Sequence, residues 1–284
     1  MPAVGQVCIS IDLELAWGVW DTLTPAYLAD CLALERSISQ RLLRIFEHHD
    51  VPATWAIVGH LLEERKDVAR SVLPAWYAPD IIDDIQRSRV PHEIGSHSFA
   101  HPNFAALTRA EAIADLQRAK EAHARRGLPY RSFVYPRNQV GHIDALQESG
   151  IAIYRSTDRG WQSRVHGHRL KRLAHLASHA IPVAPPTVEL VHHDRIVESP
   201  SSMLLIGRGG VRRFLRPEVI AFRAARAMDH AARTGELFHL WFHPSNFYKD
   251  SAVQYALLET ILRRACRGRD HGELRIVPMQ DLTR

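Results

Sequence analysis

The feature that most constrains this chain is a β-then-α alternation running through most of its length, with polar side chains arriving where each apolar strand stops. Apolar, β-favouring runs predict strands at Gln6–Leu15, Val51–Gly59, Ser132–Pro136, Ile151–Ser156, Glu236–Pro244 and Glu273–Pro278. A further short run ends at Gly95, and one or two strands fall between 189 and 199, including Ile196–Glu198. Helical spacing covers Leu32–His49, His60–Arg70, Ile143–Ser149, Pro217–Thr234 and Ala252–Arg267. Thr108 and Glu111 have the spacing of a capping box and open a helix that runs to about Arg126, just before Gly127. Residues 71–90 read as a surface excursion, and Val165–Ala180 reads as a solvated amphipathic helix.

Such alternation calls for a mainly parallel sheet with helices outside it. Six or seven strands favour a closed or nearly closed barrel in one α/β domain over an open, doubly wound sheet. No Gly-rich G-x-G-x-x-G or P-loop sequence follows any strand, which removes the usual nucleotide-binding readings. In parallel barrels chemistry collects at the C-terminal ends of the strands. By this assignment Asp12, Glu14, His97, His101, Arg137, Asp158 and His243 all fall there.

Composition narrows the class further. With 36 basic and 31 acidic residues among 284, the formal charge is only +5, so a nucleic-acid partner has no support. Cys8, Cys31 and Cys266 are far apart and form no C-x-x-C pair, which argues against a disulfide framework or a cysteine zinc site and fits a reducing compartment. No run of about 18 uncharged apolar residues predicts a membrane span. No secretory signal is read at residues 1–11, so a cytoplasmic setting is expected. The oligomeric state is not legible.

The chemistry-bearing stretch is His92-Glu93-Ile94-Gly95-Ser96-His97-Ser98-Phe99-Ala100-His101-Pro102. Two imidazoles four residues apart, on a helical turn or on a tight turn after a strand, can aim at one point and hold a divalent metal; the bland reading is a pair of surface histidines in a chain with 18. Asp12 and Glu14 lie two residues apart at a strand end, and period 2 puts both carboxylates on one face. Buried there, they need a cation or hydrogen-bond donors. Two histidines and one carboxylate leave open positions on a metal. A second carboxylate can take a proton from water, and His243 can give one to a leaving amine. That division of labour describes amide hydrolysis better than oxygen activation. Trp17 and Trp20 follow the carboxylates, either walling a cleft or capping the core.

These residues resemble the polysaccharide deacetylase superfamily (NodB-like, carbohydrate esterase family 4), in its intracellular peptidoglycan-deacetylase-like and allantoinase-like branch. Ser10-Ile11-Asp12-Leu13-Glu14 is similar to the first motif of that family, and His97-Ser98-Phe99-Ala100-His101 to its second, H-[ST]-x-x-H. Phe133-Val134-Tyr135-Pro136-Arg137 resembles a variant of the third, and Trp241-Phe242-His243-Pro244 the last, histidine-bearing one. The resemblance extends over about residues 5–280 and implies that 1–284 form one distorted (β/α)7 barrel with mainly parallel strands.

It further implies a divalent metal, zinc being the expected ion, held by Glu14, His97 and His101. Asp12 would be the base, His243 the acid, and Arg137 the residue that orients the base. Tyr135, Trp17 and Asp158 are the expected substrate contacts, with Asp158 also standing for the fourth motif. The chain departs from the pattern in two places. Leu13 separates the two acids, the second of which is Glu, so Asp12 is an alternative ligand; and the arginine usually found before the third-motif proline comes after it, at Arg137. The implied reaction is metal-assisted N-deacetylation of a sugar or saccharide, with a backbone N–H of the loop at Tyr135–Arg137 stabilising the oxyanion. Opening of a cyclic amide or imide and a non-catalytic carbohydrate-binding role are the alternatives.

Overall fold

The structure, a computed structural model, describes residues 4–63, 73–158 and 178–283. Ten strands form one sheet: β1 Gly5–Leu13, β2 Thr54–Ile57, β3 Glu93–Ser96, β4 Ser132–Val134, β5 Ile153–Ser156, β6 Val191–His193, β7 Ile196–Pro200, β8 Met203–Leu204, β9 Leu237–Phe242 and β10 Leu274–Ile276. Their order is β6-β7-β5-β4-β3-β2-β1-β9-β8, with β10 joined to β1. Every pairing is parallel except that of β6 with β7.

The two ends of that order are one piece of chain. β7 pairs with β5 (Ile153 opposite Val197) and β8 pairs with β9 (Met203 opposite Leu240), while only Ser201 and Ser202 separate β7 from β8. The sheet therefore returns on itself through the 196–204 stretch. Seven staves close the circuit: β1, β2, β3, β4, β5, the β7–β8 stretch and β9. This is the expected parallel barrel with helices around it.

The longest helix, Pro25–His49, buries Ile38, Leu42 and Phe46 against the sheet, each contributing about 1.5–3 kcal/mol of apolar burial. It starts seven residues before the predicted Leu32, with Pro25 in its first turn and the Thr24 hydroxyl accepting from the Tyr27 N–H at 3.2 Å. Its opening residues Pro25 and Ala26 face solvent, so no apolar stripe announced them. The Thr108–Glu111 capping box is present, and Gly235 ends the helix Pro217–Thr234 in the left-handed conformation.

Residues 71–90 are a correction. Instead of a surface excursion they include a helix, Pro79–Arg87, whose Ile81, Ile82 and Ile85 are buried. Of the helix predicted at His60–Arg70, the described part is a short 3-10 turn, Gly59–Leu62. Residues 64–70 lie outside the described residues, as does most of Val165–Ala180.

Candidate active site

β1 carries Asp12 near its C-terminal end, 2% exposed. Glu14 lies one residue beyond the strand, where the backbone leaves the extended conformation (φ −116°, ψ −31°) and enters a 3-10 turn, Leu15–Val19. Both carboxylates face one pocket, as expected, and the chain turns only after Glu14. Gly18 makes this possible. A Cβ there would lie 1.9 Å from Glu14 Oε2, so no larger residue fits while that carboxylate keeps its place.

His97 follows β3 directly. Its Nδ1–H donates to the Val134 carbonyl at 2.8 Å, which leaves the Nε2 lone pair free to face Glu14 Oε1 at 2.9 Å. The next four residues form a compact loop, not a helical turn, with Ser98 (φ 63°) and His101 (φ 56°) in the left-handed region. Such backbone is costly for non-glycine residues and must be held by its surroundings. Here the Ser98 hydroxyl accepts from the His101 N–H at 2.9 Å. Asp115, on the helix Arg109–Arg125, accepts from the N–H groups of Phe99 and Ala100 at 2.8 and 3.0 Å. The loop delivers His101 Nε2 to within 3.2 Å of the same Glu14 oxygen.

His243, just after β9, brings a third imidazole. Its Nε2 lies 3.4 Å from Glu14 Oε1 and 3.8 Å from Asp12 Oδ2. Burial disfavours charge on Glu14 and His243, but the attraction of their neighbours outweighs it, whereas burial prevails at His101 and lowers its pKa. His243 and His101 hold Glu14 well below the usual carboxylate range, and the two carboxylates push His243 up to about 9.

Asp12 has a partner that the sequence reading missed. Arg155, fully buried on β5, grips it with two bonds, Nη1 to Oδ1 at 2.7 Å and Nη2 to Oδ2 at 2.6 Å. Burial works against ionisation of Asp12, yet Arg155 and then His97 bring its pKa below the ordinary value. The signal was available: a parallel strand buried on both faces offers an arginine no exit to water, so Arg155 had to meet an acid. Arg137, which was expected to orient Asp12, pairs with Asp21 at the mouth of the cleft instead. Its backbone is left-handed (φ 55°), and the residue lines the cleft without reaching Asp12.

The cleft encloses about 300 Å³ and is walled by Asp12, Glu14, Tyr27, His101, Arg137, Trp241 and His243, among others. Three of the expected substrate contacts lie elsewhere. Tyr135 is fully buried among Phe104, Phe133 and Tyr154, its hydroxyl donating to the Gly141 carbonyl at 2.8 Å. Trp17 stacks on His60 with ring centroids 4.0 Å apart and donates to the Trp76 carbonyl. Asp158 accepts from the Trp241 indole N–H at 3.0 Å and so anchors a wall of the cleft from behind.

Glu14 Oε1, His97 Nε2 and His101 Nε2 lie within 4.8 Å of one another, and the His97 tautomer leaves its lone pair aimed at the shared point. Two imidazoles and a carboxylate converging in this way fit a divalent cation.

Residues 29–150 match the family model for polysaccharide deacetylase. The resemblance to that superfamily is thereby borne out. Enzymes of that family are hydrolases that act on the amide C–N bonds of acetylated sugars. Within the matched stretch lie His97, His101 and Arg137; Asp12, Glu14, Arg155 and His243 come from either side of it.

Solved structures extend the fold over the whole chain. A Mycobacterium smegmatis protein assigned as a polysaccharide deacetylase aligns at 16% identity with a TM-score of 0.70, covering 99% of this chain and 90% of its own. A probable polysaccharide deacetylase from Pseudomonas aeruginosa PAO1 aligns at 13% identity and TM-score 0.64, covering 98% and 89%. A Bacillus anthracis carbohydrate esterase family 4 pseudoenzyme, in a mutant with restored enzymatic activity, aligns at 15% identity and TM-score 0.52, covering 100% and 69%. The fold is thus shared by enzymes and by a silent relative, and function has to be argued from the site. No curated protein matches the chain in sequence.

Proposed function

We propose that this protein is a metal-dependent amide hydrolase that removes the N-acetyl group from a sugar or saccharide. The observation that carries this reading is the convergence of three imidazole nitrogens, from two different strand ends, on one oxygen of Glu14, beside an aspartate held by a buried arginine. Glu14, His97 and His101 would hold the cation. Asp12 is the poorer ligand because both of its oxygens already bind Arg155. Zinc suits this donor set. Bound there, it supplies Lewis acidity for an amide carbonyl and lowers the pKa of water.

The remaining work falls to the chain's own groups. Asp12, kept ionised by Arg155, accepts a proton from the attacking water as a general base. The carbonyl carbon becomes tetrahedral, and the C–N bond then breaks as His243 gives its proton to the departing amine. His243 suits that role because the neighbouring carboxylates favour its protonated form. Trp241, fixed by Asp158, lines the cleft beside the reacting group.

The test is acetate release from a panel of N-acetylated sugars and oligosaccharides by purified protein, as isolated, after chelation and after zinc is restored. Activity that is lost on chelation and returns with zinc supports the reading. Turnover of hydantoins or imides with no acetate release would transfer the same site to cyclic amide opening. A chelated protein as active as the zinc-loaded one would overturn metal dependence.

A further inference from the structure

Parallel barrels normally fill their interiors with layers of branched apolar side chains. This one carries Ser10 from β1, Arg155 from β5, Ser199 from β7 and His239 from β9 across its middle, all with no exposed surface. A polar layer in that position costs stability unless every member is satisfied, and no role has been given above to His239.

The bonding of the layer has a direction. Arg155 Nη1 donates to Asp12 Oδ1 at 2.7 Å and to Ser10 Oγ at 2.9 Å. The Ser10 oxygen accepts there, so its own proton goes to His239 Nε2, 2.9 Å away. His239 must then carry its proton on Nδ1, where it donates to Ser199 Oγ at 3.1 Å. The opposite tautomer would leave the Ser10 proton without an acceptor among the described residues. The imidazole has to be neutral to take that proton. Burial first, and the adjacent guanidinium second, push its pKa down to about 3, so it stays neutral at any working pH.

The guanidinium is thereby fixed in its plane as well as its position. Asp12 and Ser10 bind one edge, Asn138 Oδ1 accepts from Nη2 at 3.3 Å, and the Trp241 ring packs on its face at 4.4 Å. We propose that His239, acting through the Ser10 hydroxyl, is a positioning residue that fixes Arg155 and so sets the angle at which Asp12 meets its water. This rests on the reading of Asp12 as the base.

The experiment is a double-mutant cycle on the zinc-loaded enzyme. His239→Leu is expected to lower kcat about tenfold, the scale of coupling within one hydrogen-bond network. KM and bound zinc should stay unchanged, and His239→Gln, which keeps an acceptor near the Nε2 position, should recover most of the rate. In an Asp12→Asn background His239→Leu should have no further effect, because the group it orients is already gone. If it lowers kcat by the same factor in both backgrounds, or strips zinc, the residue is merely structural and the inference is overturned. Ser10→Ala, which removes a single oxygen, carries the same cycle if His239→Leu does not fold. A wild-type protein that hydrolyses none of the amides overturns the functional reading itself, and this inference with it.

Discussion

Each end of the barrel buries a carboxylate, and the two are solvated in opposite ways. At the C-terminal ends of the strands, Asp12 faces a guanidinium, and its pKa lies below the ordinary value. At the N-terminal ends, Glu93 on β3 receives neutral donors among the described residues: the Thr54 hydroxyl at 2.7 Å, the Gln280 N–H at 3.1 Å and the Ser132 hydroxyl. Burial pushes Glu93 upward, and those bonds only moderate the rise. The depth is nearly equal, 2% and 4% exposed. Depth therefore does not decide which way a buried carboxylate's pKa moves; a facing cation does. The upper acid sits where the proposed base is needed, while the lower one ties β2, β3, β4 and the residues after β10 together.

That contrast breaks most sharply at the histidines. His97→Ala or His101→Ala should abolish zinc binding and acetate release together, measured by metal analysis and product assay, whereas Glu93→Gln should keep both. A Glu93→Gln protein that folds but loses zinc would dissolve the distinction between the two ends. Next in size, Asp12→Asn should retain zinc and slow acetate release by roughly 10²–10⁴-fold, the usual worth of a positioned base. If zinc leaves instead, Asp12 and Glu14 exchange roles. Gly18→Ala should weaken zinc affinity about 10–100-fold in a chelator competition, the cost of disturbing a group that orients a ligand. Its new Cβ would occupy the space of Glu14 Oε2.

A third buried carboxylate sharpens the rule through pH. Glu35, on the helix Pro25–His49, has the Tyr248 hydroxyl as its hydrogen-bond donor, and burial raises its pKa to about 7. The folded value lies above the unfolded one of about 4.3, so its contribution to stability is full below that pH. It is lost as pH rises through 7, to a limit of about 4 kcal/mol. Glu35→Gln should therefore gain on the wild type in urea unfolding at pH 8 relative to pH 4.5. Equal differences at the two pH values would show that Glu35 is not held protonated.

The sequence made one half of the site legible because that half is local. Two histidines four apart, and two acids two apart at a strand end, announce themselves within a few residues of chain. Arg155 was harder to find because its partner lies 143 positions away and its strand, Ile-Ala-Ile-Tyr-Arg-Ser, shows no alternation to say which face is inward. Tyr135 misled for a related reason. It ends a strand at the correct rim, but its ring turns to the helix layer and joins Phe104 and Phe133. The barrel itself was readable from repeated β-then-α units, since closure needs only enough staves. The helix at Pro79–Arg87 was not, because one buried stripe of three isoleucines is too short to stand out among Pro, Trp and Asp.

Asp115 gives the histidine pair an external gauge. Its carboxylate, on the outer helix layer, caps the two amides between the imidazoles, so the span from His97 to His101 is measured out by a residue with no place in the cleft. If the proposed cation is held there, sliding that helix would alter the bite of the two rings while every donor keeps its identity. A change of metal across descendants of such a chain would then leave no trace in the ligands themselves.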